Sequence, residues 1–436
     1  MGSPSLLSLR CEGCGASVPV DCGPWLWSCP RQIDGDDIDH LLVPVVDDTW
    51  IPSIDPASDN PFVRYRTRLS CYQVWRLAGH DDASFIQLVD ALDRRVADVA
   101  GTGFRTTPLR RFDALDEAVG ARVWVKDETG NVAGSHKGRH LFGIAILLEV
   151  LDQLGRGSAG DLAIASCGNA ALAAAVVASA VGRRLSAFVP ADADPATLGR
   201  LGDLGVAVEL CPRDGRPGDP CYRCFRRAVA AGAVPFSCQG PDNGSCLEGA
   251  SLLAWEIVEA LPEQPDRVVI QVGGGALASA VVRGLRRPLQ RASRQALPTL
   301  DTVQTASAHP LEKALRRLRE DTGVATDAAR RRSRYMGPWE SPPASVARGI
   351  LDDETYDWLL PARAMLETGG TAVVADEATL IEANRLARRT TGIDVDETGT
   401  AGLAGLLVLA RTGRVRSDED VVVLFTGAAG ARGTGG

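Results

Sequence analysis

From about Thr107 onward, short apolar runs alternate with helix-like stretches, and this alternation restricts the fold more than any other feature of the chain. The runs that we predict as strands are RVWVKD (122–127), DLAIAS (161–166), LSAFVP (185–190), AVEL (207–210), DRVVIQVGG (266–274), TVQTAS (302–307) and VVVLFTG (421–427). Continuous runs of Val, Ile and Ala are typical of strands that are buried on both faces of a parallel sheet. Strands that alternate with helices favour such a sheet covered by helices, so we predict an α/β fold.

Length and composition favour a globular protein of several domains. The chain has 436 residues, which indicates about two to three domains, and its 45% hydrophobic and 23% charged residues are ordinary for a soluble protein. A net charge of −8 argues against nucleic acid or an anionic membrane as the main partner. The basic run RRRSR (330–334) is predicted to be a solvated or subunit-facing loop rather than an anion site. We therefore expect a small-molecule partner.

The sequence predicts neither export nor a membrane span. Its start, MGSPSLLSLRCEGCG, has no apolar core long enough for a signal peptide. The longest apolar run, AALAAAVVASAVG (170–182), is shorter than the roughly 18 residues that a membrane helix needs. We expect a cytoplasmic protein, in which the eleven cysteines are thiols or metal ligands rather than a disulfide framework.

Lys137, in NVAGSHKGRH (131–140), follows a loop and precedes a long apolar stretch, so we predict it at the start of a helix. A cation at that position opposes the helix dipole, which makes it a poor choice for a purely structural residue. An amine at such a position suits Schiff-base chemistry with a carbonyl compound. Two alternatives are an exposed loop lysine and a metal site on His136 and His140, although no HExxH motif accompanies these histidines.

Three other strand ends lie where ligands of parallel sheets bind, at the carboxyl ends of strands, and two of them carry residues that could hold an anion. SCGN (166–169) would place N–H groups at a helix N-terminus, where a carboxylate can bind, although Ser and Asn are also ordinary helix caps. GGG (273–275) would let amides wrap a phosphate, and its spacing differs from that of dinucleotide and ATP loops. A glycine turn that allows close helix packing is the alternative there. Thr426 with the glycine after it indicates, by itself, only a turn.

The order of these four junctions resembles the fold-type II family of pyridoxal-phosphate enzymes, which includes threonine synthase, tryptophan synthase β and the serine and threonine dehydratases. KDETGNVAGSHKGRH (126–140) is similar to the family's KDE..NPTGSFKDR, ASCGNAALAAA (165–175) to SSGNxxxAxA, and QVGGGALASA (271–280) to PVGGGGL. NPFVRYRTRL (60–69) is similar to threonine synthase in particular. The resemblance implies two doubly wound, mostly parallel sheet domains with the cofactor in the cleft between them. We assign 51–140 and 240–436 to a large cofactor-binding domain and 141–239 to a small substrate-side domain.

The resemblance also implies a role for individual residues. Lys137 would hold pyridoxal 5'-phosphate covalently and then move the substrate's α-proton. Asn169 would hydrogen-bond the cofactor's phenolic oxygen, and Thr426 would face its pyridine nitrogen. The amides expected to hold the phosphate are those of Gly273, Gly274, Gly275, Ala276 and Leu277. The residues expected to hold the substrate are Ser135, Ser166, Cys167, Gly168 and Ala170.

One residue that matches the family and one difference from its pattern bear on the reaction. A hydroxyl at Thr426 does not keep the pyridine nitrogen protonated as a carboxylate does, which favours elimination or replacement over transamination. Threonine synthases have a segment NPxRxEGQKT whose arginine and lysine help to bind homoserine phosphate. Here NGSCLEGASLLAWEI (243–257) has Cys246 at the arginine position and no lysine. A buried phosphate dianion without cations is costly, so threonine synthase activity is not expected.

The first 50 residues are rich in Cys, Pro, Asp and Trp and are predicted to form a small irregular module. CEGCG (11–15) and Cys29 are similar to the zinc-ribbon-like start of some threonine synthases, but the second CxxC is incomplete. The resemblance implies zinc on Cys11, Cys14 and Cys29 with Cys22 as the fourth ligand. A metal-free remnant of such a site is the alternative.

The leading hypothesis is a pyridoxal-phosphate-dependent lyase. It would catalyse β-elimination on a small polar amino acid such as serine, threonine or a 2,3-diamino acid, giving a keto acid and ammonia. One alternative is β- or γ-replacement of the threonine synthase type, in amino-acid or specialised-metabolite biosynthesis. The other is a catalytically silent binding relative, which would not need all four junctions. We expect a homodimer.

Overall fold

The computed structural model describes residues 7–20, 23–33, 35–46, 54–216, 218–287, 296–321 and 327–429. The strands in these residues form three sheets. Their bounds are β1 (Leu7–Cys11), β2 (Ser17–Pro19), β3 (Leu42–Val46), β4 (Leu109–Arg111), β5 (Arg122–Asp127), β6 (Leu162–Ala165), β7 (Leu185–Pro190), β8 (Ala207–Cys211), β9 (Val234–Pro235), β10 (Arg267–Gln271), β11 (Thr299–Thr305), β12 (Ala372–Ala375) and β13 (Asp420–Phe425).

The helices connect and cover these strands. Their bounds are α1 (Pro61–Arg64), α2 (Ser70–Leu77), α3 (Asp82–Ala100), α4 (Asp113–Val119), α5 (Lys137–Gln153), α6 (Asn169–Ala180), α7 (Pro195–Asp203), α8 (Pro220–Ala230), α9 (Cys246–Ala260), α10 (Ala276–Arg286), α11 (Pro310–Glu320), α12 (Arg332–Tyr335), α13 (Leu359–Thr368), α14 (Glu377–Thr391) and α15 (Ala401–Arg411). None of the described helices is long and apolar enough to cross a membrane.

The large sheet has six strands in the order β12-β11-β10-β13-β5-β4. All neighbours are parallel except β4 and β5, which pair antiparallel at one edge. Helices α9, α10 and α13 pack their apolar side chains on one face, and α4, α14 and α15 pack theirs on the other. Both faces are therefore buried, and the predicted α/β fold is confirmed.

The small sheet has four parallel strands in the order β8-β7-β6-β9. A third sheet, β2-β1-β3, is antiparallel and belongs to the N-terminal module. All seven runs that the sequence predicts as strands form strands. Most of them are apolar runs that a parallel sheet buries on both faces, whereas residues 207–210 of the edge strand β8 are exposed.

The strands of each sheet fall within one predicted domain, but the helices before the large sheet pack elsewhere. Phe62 of α1 and Leu92 of α3 share a hydrophobic core with Leu172 of α6, on the small-sheet side. Leu7 and Val43 of the N-terminal module belong to the same core. The sheets therefore show which strands belong together, whereas the domain boundaries stay a prediction.

Candidate active site

Lys137 lies where the sequence places it, as the first residue of α5, beside the end of the last strand. Ser135 forms an isolated antiparallel bridge with Gly427. The His136 N–H donates to the Thr426 carbonyl at 3.1 Å. Two junctions that lie 290 residues apart in the chain, the lysine loop and the terminal Thr-Gly, are therefore joined through the backbone.

The two histidines that flank the lysine are buried and neutral. Burial, with Lys137 nearby, lowers the pKa of His136 to about 3, and burial also lowers that of His140 well below its usual value. His136 Nδ1 lies 3.2 Å from the Thr426 carbonyl and His140 Nδ1 lies 3.0 Å from the Cys246 carbonyl. Neither belongs to a cluster of three metal-ligating side chains in the described part of the chain. The geometry therefore favours positioning of the loop over a metal site here.

Asn169 begins α6 and faces the same terminal turn. A Cβ added to Gly427 would lie 2.9 Å from Asn169 Nδ2, so the two residues are in close contact. Asn169 Oδ1 is buried and has no hydrogen-bond partner among the described residues. An amide oxygen accepts hydrogen bonds, so the orphaned Oδ1 is open to a donor such as a phenolic O–H, and the expected role of Asn169 stays a prediction.

The residues predicted to hold the substrate lie around this turn. Ser135 is buried, and its Oγ has no partner among the described residues. Between β6 and α6, the Ser166 hydroxyl accepts from the Gly168 N–H at 3.3 Å, while the Cys167 side chain is exposed. Ala170 is buried in the first turn of α6. The bridge between Ser135 and Gly427 places this serine at the terminal turn, and the roles of all five residues stay predictions.

The glycine turn follows β10 and leads directly into α10, which begins at Ala276. Gly275 has φ 92°, and a Cβ there would lie 2.7 Å from the Asp357 carbonyl oxygen, so only glycine fits. The Gly274 N–H donates to the Asp352 carboxyl group. An amide that serves a carboxylate oxygen can serve a phosphate oxygen equally well, and Asp352 would then compete for it. The turn therefore fits a phosphate.

Thr426 is buried, and a residue that the sequence analysis missed orients it. Gln271 ends β10, and its Nε2 donates to Thr426 Oγ1 at 2.9 Å and to the Gly399 carbonyl at 2.8 Å. Because the Thr426 oxygen accepts this bond, its own proton is left to donate to another acceptor, such as a pyridine nitrogen. A polar residue at the end of the otherwise apolar run VVIQ was the available signal.

Acidic side chains near Lys137 were also missed. Asp352 and Asp357 both interact electrostatically with Lys137, and Asp357 also interacts with Asp242. Burial raises the pKa of Asp352 to about 6, that of Asp242 to about 7 and that of Asp357 to about 8. Asp357 Oδ2 accepts from the Gly240 N–H at 2.9 Å, whereas its Oδ1 is buried without a partner among the described residues. The cleft beside Lys137 is therefore acidic.

Replacing Asp357 by asparagine should change how stability depends on pH. Since the folded pKa is raised above the unfolded value of about 4, only the unfolded chain releases this proton between pH 4 and about 8. The wild-type free energy of unfolding therefore falls over that range through this group. The free energy of unfolding of Asp357→Asn, relative to that of wild type, should therefore rise by about 3 kcal/mol from pH 5 to pH 8. Urea unfolding of both proteins at the two pH values measures this change. A stability difference that is the same at both pH values would contradict the raised pKa of Asp357.

A buried ion cluster supports the site from behind. Lys126 Nζ lies 2.5 Å from Glu256 Oε2 and donates to the Thr107 carbonyl at 2.6 Å. Arg139 joins Glu128 at 2.7 Å and Glu256 at 2.6 Å. Burial alone would raise the pKa of Glu128, but Arg139 and Lys126 outweigh it, and the pKa falls to about 2. The cluster fixes α5, and with it Lys137, against β5 and α9.

Comparison with known proteins agrees with this geometry. The family described as pyridoxal-phosphate dependent enzyme matches residues 101–427. The chain belongs to this family. The threonine synthase of Methanosarcina acetivorans is 26% identical over 423 residues, which cover 96% of this chain and 91% of that protein. The serine dehydratase-like protein of Rattus norvegicus is 32% identical over 215 residues, covering 48% of this chain and 60% of that protein.

Solved structures of the same fold type extend the comparison. The diaminopropionate ammonia lyase of Escherichia coli superposes with a TM-score of 0.59 and 18% identity, covering 79% of this chain and 89% of that chain. At this identity the likeness shows the fold alone. This pyridoxal-phosphate-dependent enzyme therefore has the fold-type II architecture that its sequence resembles.

The residues at the four junctions fit pyridoxal phosphate. The lysine loop and Asn169 both contact Gly427. Gln271, which ends the strand before the glycine turn, donates to the hydroxyl of Thr426. When bound, the cofactor would supply an electron-withdrawing system for the substrate's α-carbon. The protein's part is to bind, orient and move protons.

The N-terminal module brings together three of the four predicted metal ligands and adds one that was not predicted. Cys11, Cys14, Cys29 and His40 have ligand atoms within 4.8 Å of one another. Cys22, predicted as the fourth ligand, lies outside the described residues. The only signal for His40 was that it is one of five histidines in the chain.

Proposed function

We propose that this pyridoxal-phosphate-dependent enzyme is a lyase that catalyses β-elimination on a small polar amino acid. Its favoured substrate class is a small 2,3-diamino acid, whose side chain is cationic. The observation that carries the proposal is a pair of buried carboxyl groups, Asp352 and Asp357, that both interact with Lys137; Asp242 in turn interacts with Asp357.

Charge separates this substrate from a phosphorylated one. Cys246 occupies the position at which threonine synthases carry a phosphate-binding arginine. Its thiol is buried, and burial raises its pKa well above the usual value. A phosphate dianion would meet a neutral thiol and the carboxyl group of Asp357 there. Arg283, which also interacts with Cys246, is itself close to Glu12 and Glu248. An ammonium group, in contrast, could pair with Asp357 and displace the proton that this carboxyl holds.

The residues divide the chemistry between them. Lys137 takes the α-proton of the substrate, and the turn at Ser166 and Gly168 holds the α-carboxylate with backbone N–H groups. The leaving group departs from the β-carbon. An ammonium group leaves directly as neutral ammonia, whereas a hydroxyl group would need a proton from a protonated carboxyl group to leave as water. The enamine that is released takes up water and gives a keto acid and ammonia. For 2,3-diaminopropionate the products are pyruvate and two molecules of ammonia.

The relatives support this class of reaction. One structural neighbour is a diaminopropionate ammonia lyase, and one relative is serine dehydratase-like. The second candidate is β- or γ-replacement of the threonine synthase type, which the coverage of 96% of this chain by the Methanosarcina enzyme favours. The acidic cleft supports the first candidate over the second.

A substrate panel tests the proposal. We expect 2,3-diaminopropionate to give pyruvate and ammonia, and homoserine phosphate to give at least about a hundredfold lower kcat/KM, since two charge-assisted bonds are lacking. Keto acid, ammonia and released phosphate are measured separately. Efficient phosphate release with threonine as product would favour the second candidate.

A matched variant tests whether Asp357 recognises the side chain of the substrate. Asp357→Asn should lower kcat/KM for 2,3-diaminopropionate by about 10–100-fold, the equivalent of one charge-assisted hydrogen bond. The kcat/KM for serine, whose side chain is neutral, should change far less. Equal losses for both substrates would show that Asp357 has only a structural role.

Three further statements are proposals. A cytoplasmic location is supported by the thiol state of the ten described cysteines. A homodimer is supported by the exposed apolar side chains of Val208 and Leu210 on the edge strand β8, which a second copy would cover. Zinc in the N-terminal module is supported by Cys11, Cys14 and Cys29. Sedimentation tests the homodimer, and metal analysis tests the zinc.

A further inference from the structure

Four side chains of the N-terminal module converge on one point. Cys11 ends β1, Cys14 lies in the turn after it, Cys29 lies in the following loop, and His40 lies just before β3. Cys11, Cys29 and His40 are buried, with at most 5% of each exposed. They come from separate parts of a short chain segment, so their convergence requires the fold of the module.

The spacing of the ligand atoms suits a tetrahedral metal. The sulfur atoms of Cys14 and Cys29 are 3.6 Å apart, and the Cys11 sulfur is 3.4 Å from His40 Nδ1. A zinc ion with metal–sulfur bonds of about 2.3 Å places two thiolates about 3.8 Å apart and a thiolate and an imidazole slightly closer. The ligands are thus near the distances of a closed site.

The histidine has the orientation of a metal ligand. Its Nε2 lies 3.0 Å from Asp36 Oδ2, and Asp36 is itself held by the N–H groups of Ile33 and Ile38 at 3.1 and 3.3 Å. A carboxylate on the far nitrogen fixes the tautomer in which Nδ1 has a free lone pair. That lone pair faces the sulfur atoms.

Backbone N–H groups support the sulfur atoms. The Cys14 N–H donates to the Cys11 sulfur at 3.5 Å, and the Arg31 N–H donates to the Cys29 sulfur at 3.4 Å. Such bonds favour thiolates, which are the form that binds metal.

We infer that His40 completes a three-cysteine, one-histidine zinc site, and that the metal clamps the segment Asp39–Leu42 against the wall of the catalytic cleft. Thiolates with one imidazole in a closed tetrahedral arrangement select zinc among common divalent ions. His40 takes the place that the sequence analysis gave to Cys22. The inference concerns a site distinct from the proposed reaction.

The clamped segment touches the cleft directly. Asp39 accepts from Arg332 Nε at 3.2 Å, which places part of the RRRSR run in an ion pair with the module rather than in a solvated loop. A Cβ added to Gly240 would lie 2.8 Å from Leu41 Cδ1. Gly240 is the residue whose N–H donates to Asp357 Oδ2.

Glycines pack closely against the segment Asp39–Leu42 on both of its sides. A Cβ on Gly13, between the two ligands of CEGC, would collide with the Asp39 carbonyl, and a Cβ on Gly244 would collide with that of Leu42. The segment therefore lies between the metal site and the loop that ends at α9. Asp357 in turn donates its N–H to the Gly274 carbonyl at 2.8 Å, next to the phosphate turn.

Metal analysis of the full-length enzyme tests the ligand set. We expect one zinc per chain in the wild type. His40→Ala should lose zinc affinity by at least about tenfold, and Asp36→Asn, which leaves every ligand in place, by about 10–100-fold. His80→Ala is the matched control, because His80 is exposed and stacks on Trp75 far from the cysteines in the chain.

A second measurement does not depend on the stability of His40→Ala. His40→Cys should keep the metal, and in the cobalt-substituted protein the thiolate-to-cobalt absorption should increase by about one third as three thiolates become four. Zinc that is retained in His40→Ala but lost in Cys22→Ser would overturn the assignment, as would a wild-type protein without zinc.

The clamp has its own readout, which is independent of turnover. Removing zinc with a chelator, or weakening it with Asp36→Asn, should make pyridoxal phosphate dissociate several-fold faster, followed by its absorbance after dilution. His80→Ala should release the cofactor like wild type. Cofactor release that is unchanged after complete zinc removal would contradict the clamp.

Discussion

Borohydride reduction of the purified enzyme is expected to attach the pyridoxyl group to Lys137 and to no other lysine. The sequence has three lysines, which makes the assignment by peptide mass spectrometry simple. Lys126 is buried in the ion cluster with Glu256, 2.5 Å away. Lys313 lies outside the cleft, where its Nζ sits 5.8 Å from the Trp339 ring centre and 3.4 Å from Glu340. Lys137 alone faces the glycine turn.

Lys137→Ala should therefore abolish labelling and lower kcat by roughly 10²–10⁴-fold or more, since a positioned proton-transfer group is lost. Lys313→Arg is the matched control, and both its labelling and its kcat should equal those of wild type. A pyridoxyl group on Lys126, or turnover by Lys137→Ala at the wild-type rate, would show that the site is misplaced.

The second large effect is expected on stability. Arg139→Met removes the central cation of the buried cluster and leaves Glu128 and Glu256 without it. Breaking a buried pair in this way costs about 3–5 kcal/mol, because a carboxylate remains in a low-dielectric interior. Urea unfolding of the purified protein measures the loss.

An exposed pair provides the control for this variant. Arg411 and Glu382 are both about half exposed, so Arg411→Met should cost at most about 1 kcal/mol. Glu128 has a pKa near 2, so the contribution of the cluster should persist down to about pH 4 and be lost as the pH falls further. A loss of stability in Arg139→Met no larger than in Arg411→Met would contradict the role of the cluster.

Features that depend on local pattern could be predicted from the sequence. Most of the strands were predictable because burial on both faces leaves continuous apolar runs, and the glycine turn because residues 273–275 follow such a run. Lys137 was predictable at a helix start because a glycine and a serine precede it and an apolar stretch follows.

Features that depend on long-range packing could not be predicted. Asp352 and Asp357 lie in an irregular segment, and only the folded chain shows that they face Lys137. Lys126 pairs with Glu256, which is 130 residues away, and no periodicity relates the two. His40 was missed because its ligand role follows from the position of β3 relative to β1, not from cysteine spacing.

The place of β13 in the large sheet has a consequence for synthesis of the protein. Among the described strands this one is the last to emerge from the ribosome, yet it lies between β10 and β5. Thr426, the partner of His136, is synthesised 290 residues later, which takes roughly 15–60 s at 5–20 residues per second. During that time the inner edges of β5 and β10 are unpaired and open to wrong partners, so we expect nascent chains to depend on chaperones. A stop codon before residue 420 would remove a central strand and, with it, the contact that closes the lysine loop.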